Sequence, residues 1–284
     1  MLRFATFLAP GMEEVYLRIA EAVATRLGTT TDLHVGSDPS EFADGRADLA
    51  FLCGLPYVHL ADSPDPVVVP VAAPVLTDER YGGRPIYFSD VVVRADSGLT
   101  RFDELRGASW AFNEPDSQSG YGVVRWHLAR LGEVDGYFGR VVEAGFHDTA
   151  MRLVASGAVD AAAIDSQVLA MARRDEPELA RDLRVIGSLG PSTIQPVVAS
   201  TRLPGRSIDA VRAALVGLAR DPATSRSLAR GLISRFVPMT DADYDDIRRM
   251  EAESDAAGLV GIGTPVEPRG FGSIPGPDRP TLQA

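Results

Sequence analysis

The chain has 284 residues, enough for one large domain or two of ordinary size, and its hydrophobic fraction of 45% allows a full core without staples. Its 39 acidic residues outnumber its 28 basic ones, giving a net charge of −11 that disfavours nucleic acid and anionic membrane as main partners. No lysine occurs, which excludes Schiff-base and P-loop chemistry, and the single cysteine, Cys53, excludes an internal disulfide or a cysteine-built zinc site.

Residues 3–8 read as a strand. Pro10, Gly11, Glu13 and Glu14 interrupt it, so this start does not read as a signal peptide. The expected location is extracytoplasmic if a leader has been removed and cytoplasmic otherwise. No apolar run approaches the ~20 residues needed to span a bilayer. Val15, Ile19, Val23 and Leu27 recur at helical spacing and predict a helix over 12–27, stopped at Gly28. Residues 33–35 and 47–52 read as buried strands, and 67–71 as a further apolar run.

Residues 86–93 are rich in aromatic and β-branched side chains and predict a strand. Thr100 and Asp103 resemble a capping box opening a short helix that ends near Gly107. A strand at 109–112, a polar loop at 115–120 and a helix at 121–131 follow. Then come a helix at 148–156, a strand at 159–164, a helix at 167–174 and a strand at 183–186. Residues 195–200 are extended, and Ser207 is placed to cap a helix through Leu218. Helices are expected at 226–232 and 243–253, where Asp241, Asp243, Asp245, Asp246, Glu251, Glu253 and Asp255 read as a solvated face. From Gly258 to Ala284, Gly and Pro crowd the chain into a wrapping or disordered arm. The alternation implies an α/β protein with mostly parallel strands, in one sheet or two lobes.

One short segment points to chemistry. Ser117-Gln118-Ser119-Gly120 follows a strand and opens a helix. Free N–H groups at a helix start, beside two hydroxyls and a glycine, form an anion site; the same residues also suit an ordinary serine N-cap. Cys53 ends a buried strand, where open α/β sheets bind ligands, or it is simply a small apolar side chain. Pro10-Gly11-Met12 opens a helix toward the same strand ends. No nucleophile–base pair, metal-ligand spacing or cofactor motif is legible, so no catalytic residue, metal or cofactor is assigned.

Taken together, Gly83 to Gly98, Phe102-Asp103-Glu104-Leu105-Arg106-Gly107, Trp110 to Tyr121, Phe146-His147-Asp148 and Ser156 to Asp165 resemble the solute-binding proteins of phosphonate and phosphite ABC importers. The resemblance spans roughly residues 45–205. It implies a two-lobed type II periplasmic-binding-protein fold with the ligand in the cleft. One lobe would comprise residues 1–92 and 194–284, the other 93–193. It further implies that Ser117, Gln118, Ser119 and the backbone of Gly120 and Tyr121 hold the oxyanion, with Tyr57 and Tyr87 lining the cleft and His147 nearby. A histidine at a helix start is the alternative for His147.

Gln167 and Gln195 stand where aminoalkylphosphonate importers carry acids, unless Gln167 is merely an exposed helical residue. The ligand is therefore expected to lack a cationic amine, or to present it to Asp165. The expected role is binding a small oxyanion as the solute-binding component of an ABC importer, as a monomer or weak dimer meeting the transporter's membrane subunits. The alternative is a cytoplasmic enzyme or ligand sensor on the same fold.

Overall fold

The computed structural model describes residues 1–263 apart from 9, 37 and 134; the greater part of the Gly/Pro-rich arm, 264–284, lies outside the described residues. Strand β1 (Leu2–Thr6) is followed by α1 (Glu13–Arg26), whose Val15, Ile19 and Val23 form one buried stripe. The first helical turn expected at residue 12 is instead a separate 3₁₀ turn over Pro10–Met12. β2 (Thr31–Val35), α2 (Ser40–Ala43), β3 (Leu49–Phe51), α3 (Gly54–Ala61) and β4 (Val68–Leu76) complete the first pass.

After residues 77–85 the chain enters a second sheet. It forms β5 (Ile86–Arg94), β6 (Ser109–Phe112), α4 (Val123–Arg130), β7 (Arg140–Glu143) and α5 (His147–Ala155). β8 (Ala161–Asp165), α6 (Ser166–Asp175), α7 (Pro177–Arg181) and β9 (Leu183–Thr193) follow. Residues 194–196 lead back to β10 (Val197–Ser200), α8 (Gly205–Gly217), α9 (Pro222–Arg230), β11 (Ile233–Pro238) and α10 (Asp245–Ala256).

The strands form two separate sheets, ordered β11-β4-β10-β3-β1-β2 and β7-β6-β8-β5-β9. They are less parallel than expected. β1 pairs in parallel with β2 and β3, and β6 with β7 and β8. β10, β11 and β5, however, run against their neighbours. The strands next to the crossings enter each sheet in reverse, which shortens the connections.

Several boundaries moved for physical reasons. β9 extends to Thr193 because it pairs along the whole of β5, from Arg94 opposite Leu183 to Ile86 opposite Thr193. The box near residue 100 is closed by Glu104, whose carboxylate accepts from the N–H groups of Thr100 (2.6 Å) and Arg101 (3.2 Å). α8 starts at Gly205, directly after Pro204, two residues before the expected Ser207.

The first sheet packs Phe4, Ile19, Leu49 and Val71 into one cluster. The second sheet is covered on both faces. Val91 and Val93 join Trp110 and Leu128 on one side, and Val92 joins Val154 and Leu169 on the other, as strand alternation requires. α10 belongs to both assemblies: Tyr244, just before it, and Ile247 sit in the first cluster, while Met250, Leu259 and Ile262 sit in the second. Its acids are tied to neighbours rather than merely solvated. Asp241 and Asp245 hold Arg248 together with Asp62, Glu251 meets His59 at 2.8 Å, Glu253 accepts from Trp126 at 2.6 Å, and Asp255 pairs with Arg125.

The crossings touch each other, Ile194 N–H donating to Pro85 O at 3.0 Å. Arg80, in the outgoing crossing, grips buried Asp90 of β5 with two hydrogen bonds of 2.9 and 2.8 Å. Among the described residues no helix is long and apolar enough to cross a membrane.

Candidate functional site

The polar centre lies where β6 ends. Ser117 has extended backbone angles, and its hydroxyl accepts from Gly120 N–H at 3.0 Å. Ser117 is therefore the cap of the turn, and the following residues 118–122 wind more widely than an α-helix. Its carbonyl accepts from the N–H groups of both Tyr121 (3.1 Å) and Gly122 (2.9 Å). A consequence differs from the expectation: the backbone N–H groups of Gly120 and Tyr121 are spent inside the turn. The Ser117 and Ser119 hydroxyls lie 3.3 Å apart in the turn, both buried.

Gly120 is required sterically, because a Cβ there would stand 1.8 Å from Asn113 Oδ1. Gln118 is fully buried and ties the turn to its surroundings, donating to Ser192 Oγ at 3.1 Å and Met250 Sδ at 3.2 Å. It acts as a strut.

Ser119 Oγ lies 2.9 Å from His147 Nε2, which the start of α5 delivers to the turn. Burial pushes the His147 imidazole down to about 4, so the ring is neutral near pH 7, and its Nδ1 is buried without a partner. The pair has the first contact of a nucleophile and base. It lacks a third group to orient the ring, and an imidazole of such low pKa is a weak base.

Tyr87 is 1% exposed, its hydroxyl makes no hydrogen bond of normal length, and burial raises the phenol well above its usual pKa, with Ser119, Cys53 and Asp165 among the polar groups acting on it. Cys53 is the N-cap of α3, with extended backbone angles and no hydrogen bond from its side chain to the helix start. Burial pushes its pKa up to about 11, which keeps it protonated and unreactive.

Asp165 is buried, and burial raises its pKa to about 6. Both carboxyl oxygens are engaged. One accepts from the N–H groups of Gln167 (2.7 Å) and Val168 (3.4 Å), capping α6, and the other accepts from Gln195 Nε2 at 2.7 Å. Gln167 is buried, and its Nε2 donates to Gly231 O at 2.6 Å, so it is not an exposed helical residue.

The structure therefore brings Ser117, Ser119, His147, Tyr87 and Cys53 together, with Asp165, Gln167 and Gln195 adjoining. Met12 lines a small chamber beside those two glutamines. Tyr57 is turned elsewhere: its hydroxyl donates to Asp241 at 2.5 Å and its ring packs on Tyr244. The Tyr121 side chain points toward Gly261. The sequence reading did not anticipate Tyr16, Asn113 or Ser192. Tyr16 sits on the buried stripe of α1, where helical spacing marks it only as core.

Two lobes, each built on its own sheet, with a buried polar centre between them, define a type II periplasmic-binding-protein fold. Solved structures that share it include the following. The binding protein component of an ABC phosphonate transporter from Pseudomonas aeruginosa matches with a TM-score of 0.78 at 18% identity, over 90% of this chain and 87% of that one. PhnD1 from Prochlorococcus marinus, in complex with methylphosphonate, matches with a TM-score of 0.78 at 18% identity, over 89% of this chain and 98% of that one. A Xanthomonas citri protein bound to ATP matches with a TM-score of 0.67 at 19% identity, over 90% and 98%. Residues 4–244 match the family of ABC transporter phosphonate periplasmic substrate-binding proteins, and the chain belongs to that family.

Proposed function

We propose that this chain captures a small oxyanion, phosphonate-like and without a cationic amine, between its lobes and delivers it to the membrane subunits of an ABC importer. The lobes would divide near residues 92 and 194, and the protein would work extracytoplasmically as a monomer or weak dimer. The observation that carries the reading is the buried Tyr87 hydroxyl, which makes no hydrogen bond of normal length and has Ser119 of the serine turn among the groups acting on it. A buried donor left unpaired costs about 1–3 kcal/mol, and an anion held there by Ser117, Ser119 and Tyr87 would recover it. Family membership favours this role over a cytoplasmic enzyme or sensor, as does the poor basicity of His147.

The absence of an amine follows from Asp165. Its oxygens are already occupied by Gln195 and the start of α6, and the neighbouring side chains are neutral amides. A buried ammonium there would meet no free counter-charge.

The test is calorimetry with phosphite, phosphate, methylphosphonate and 2-aminoethylphosphonate on the wild type and on Ser119→Ala. At least one uncharged-substituent anion should bind, weakened about tenfold or more by the substitution, with the amine no better than methylphosphonate. Binding of none of the four, or a tenfold preference for the amine, would refute the proposal.

A further inference from the structure

A larger hollow lies apart from the serine turn, an open groove of about 780 Å³. Arg84 of the outgoing crossing, Pro191 near the end of β9, Trp126 and Arg130 of α4, and Arg249 of α10 are among its walls. No residue of the serine turn lines it, nor do Tyr87, His147 or Asp165.

The charges in its walls are unevenly matched. Its two carboxylates are already engaged by the protein. Asp246 accepts from Thr193 N–H at 2.7 Å, and its other oxygen is buried out of a ligand's reach. Glu253 accepts from Trp126 Nε1 at 2.6 Å and stands 3.9 Å from Arg249 Nε. Arg84 and Arg130, by contrast, are exposed and form no ion pair among the described residues. The Arg130 guanidinium lies 5.0 Å from the centre of the Trp126 ring, a cation–π contact that holds it at the groove. In a chain of net charge −11, acids outnumber cations, so composition does not lead one to expect two unpaired arginines beside one groove. Arg130 ends α4, where the helix carbonyls favour a cation, but Arg84 lies in no helix and has no such reason.

We infer that this groove binds a small molecule carrying two or more oxyanion groups, carboxylate or phosphate, at a site separate from the cleft. The inference does not depend on what the cleft holds. Arginine presents a planar fork of donors that matches a carboxylate or a phosphate two bonds at a time. The three arginines stand on three different parts of the chain, and one small oxyanion fills a fraction of the groove. An occupant that reaches more than one of them therefore needs more than one anionic group. The volume is that of a small-molecule site, which spans about 300–1,000 Å³.

The test is calorimetry on the full chain at physiological salt with citrate, inorganic triphosphate and acetate. Citrate or triphosphate should bind and acetate should not, and the tighter of the first two identifies the anionic group. Arg84→Gln and Arg130→Gln should each weaken that binding by about tenfold or more. Both side chains are exposed and unpaired, so the variants should melt as the wild type does. Ser119→Ala, in the cleft, and Arg173→Gln, an exposed position of α6 outside the groove, should leave the binding unchanged. Failure of both citrate and triphosphate to bind overturns the inference. An equal loss in Arg173→Gln overturns it as well, since the attraction would then be a general one to cations. Loss in Ser119→Ala with retention in both groove variants would put the anion in the cleft instead. Acetate binding as tightly as citrate would remove the requirement for a second anionic group. If no phosphonate binds, the cleft reading falls and this inference stands or falls on its own variants.

Discussion

Ser119 Oγ and His147 Nε2 meet at 2.9 Å, in a site where the other ring nitrogen of His147 has no partner. One buried histidine and one buried carboxyl, Asp165, thus flank the cleft with pKa values displaced toward their neutral forms.

The two displacements act on stability in opposite directions. His147 falls from 6.5 to about 4, so its contribution is full above about pH 6.5 and is lost as pH falls through about 4. Asp165 rises from 3.8 to about 6, so its contribution is full below about pH 3.8 and is lost as pH rises through about 6. Between pH 4 and 6 they oppose each other. Melting temperatures across this window should therefore fall with rising pH in His147→Asn and rise in Asp165→Asn, each relative to the wild type. Identical profiles in all three proteins would contradict the assignment.

Ser117 and Ser119 should separate by their effects on folding. Ser117→Ala removes the hydroxyl that accepts Gly120 N–H, a cap contribution of about 1 kcal/mol. Ser119→Ala leaves His147 Nε2 buried and unpaired, at about 1–3 kcal/mol. Both should weaken methylphosphonate by about ten- to a hundredfold in calorimetry. Affinity retained in both variants while stability drops would make the turn a purely structural cap.

Gly120→Ala should cost about 1–3 kcal/mol, since its Cβ would collide with Asn113 Oδ1. Asn113→Ala removes that atom. In a double-mutant cycle measured by urea denaturation, the pair should be less destabilised than the sum of the single changes. Simple additivity would show that Asn113 is not the obstacle.

Gln195→Glu replaces a donor to Asp165 Oδ2, now 2.7 Å away, with a second carboxylate. Two acids at that distance cannot both ionise, so one must stay protonated near neutral pH. The variant should lose more stability than the wild type as pH rises from 6 to 8, and circular-dichroism melts at three pH values decide it. A profile parallel to the wild type's would mean that the new side chain had swung away from Asp165.

The alternation of strands and helices was legible because most elements carry their own period or caps. α1 is an example, with Val15, Ile19 and Val23 on one stripe. α3 was not, because its first five residues, Gly54 to Val58, are all buried and leave only His59 exposed, too little polar periodicity to betray a helix. β9 looked short because Gly187, Ser188 and Gly190 lower its local strand preference, while pairing with β5 overrides it. In the site, the serine turn and His147 stood out by type and order. Tyr57 did not behave as expected, since its direction depends on Asp241 and Tyr244, distant in sequence. The occupation of both Asp165 oxygens is likewise a long-range fact, involving Gln195 thirty residues away.

The shared helix α10 fixes how the molecule can move. Two adjacent crossings alone would let the two bodies both bend and swivel about the line between them. Ile247 anchored in one core and Met250 in the other add a third tie one helical turn long. A rigid tie away from the crossings resists the swivel and leaves bending as the softer coordinate. Motion about the cleft is then close to one-dimensional, and a single distance, measured between a probe on α1 and one on α5, is enough to follow it.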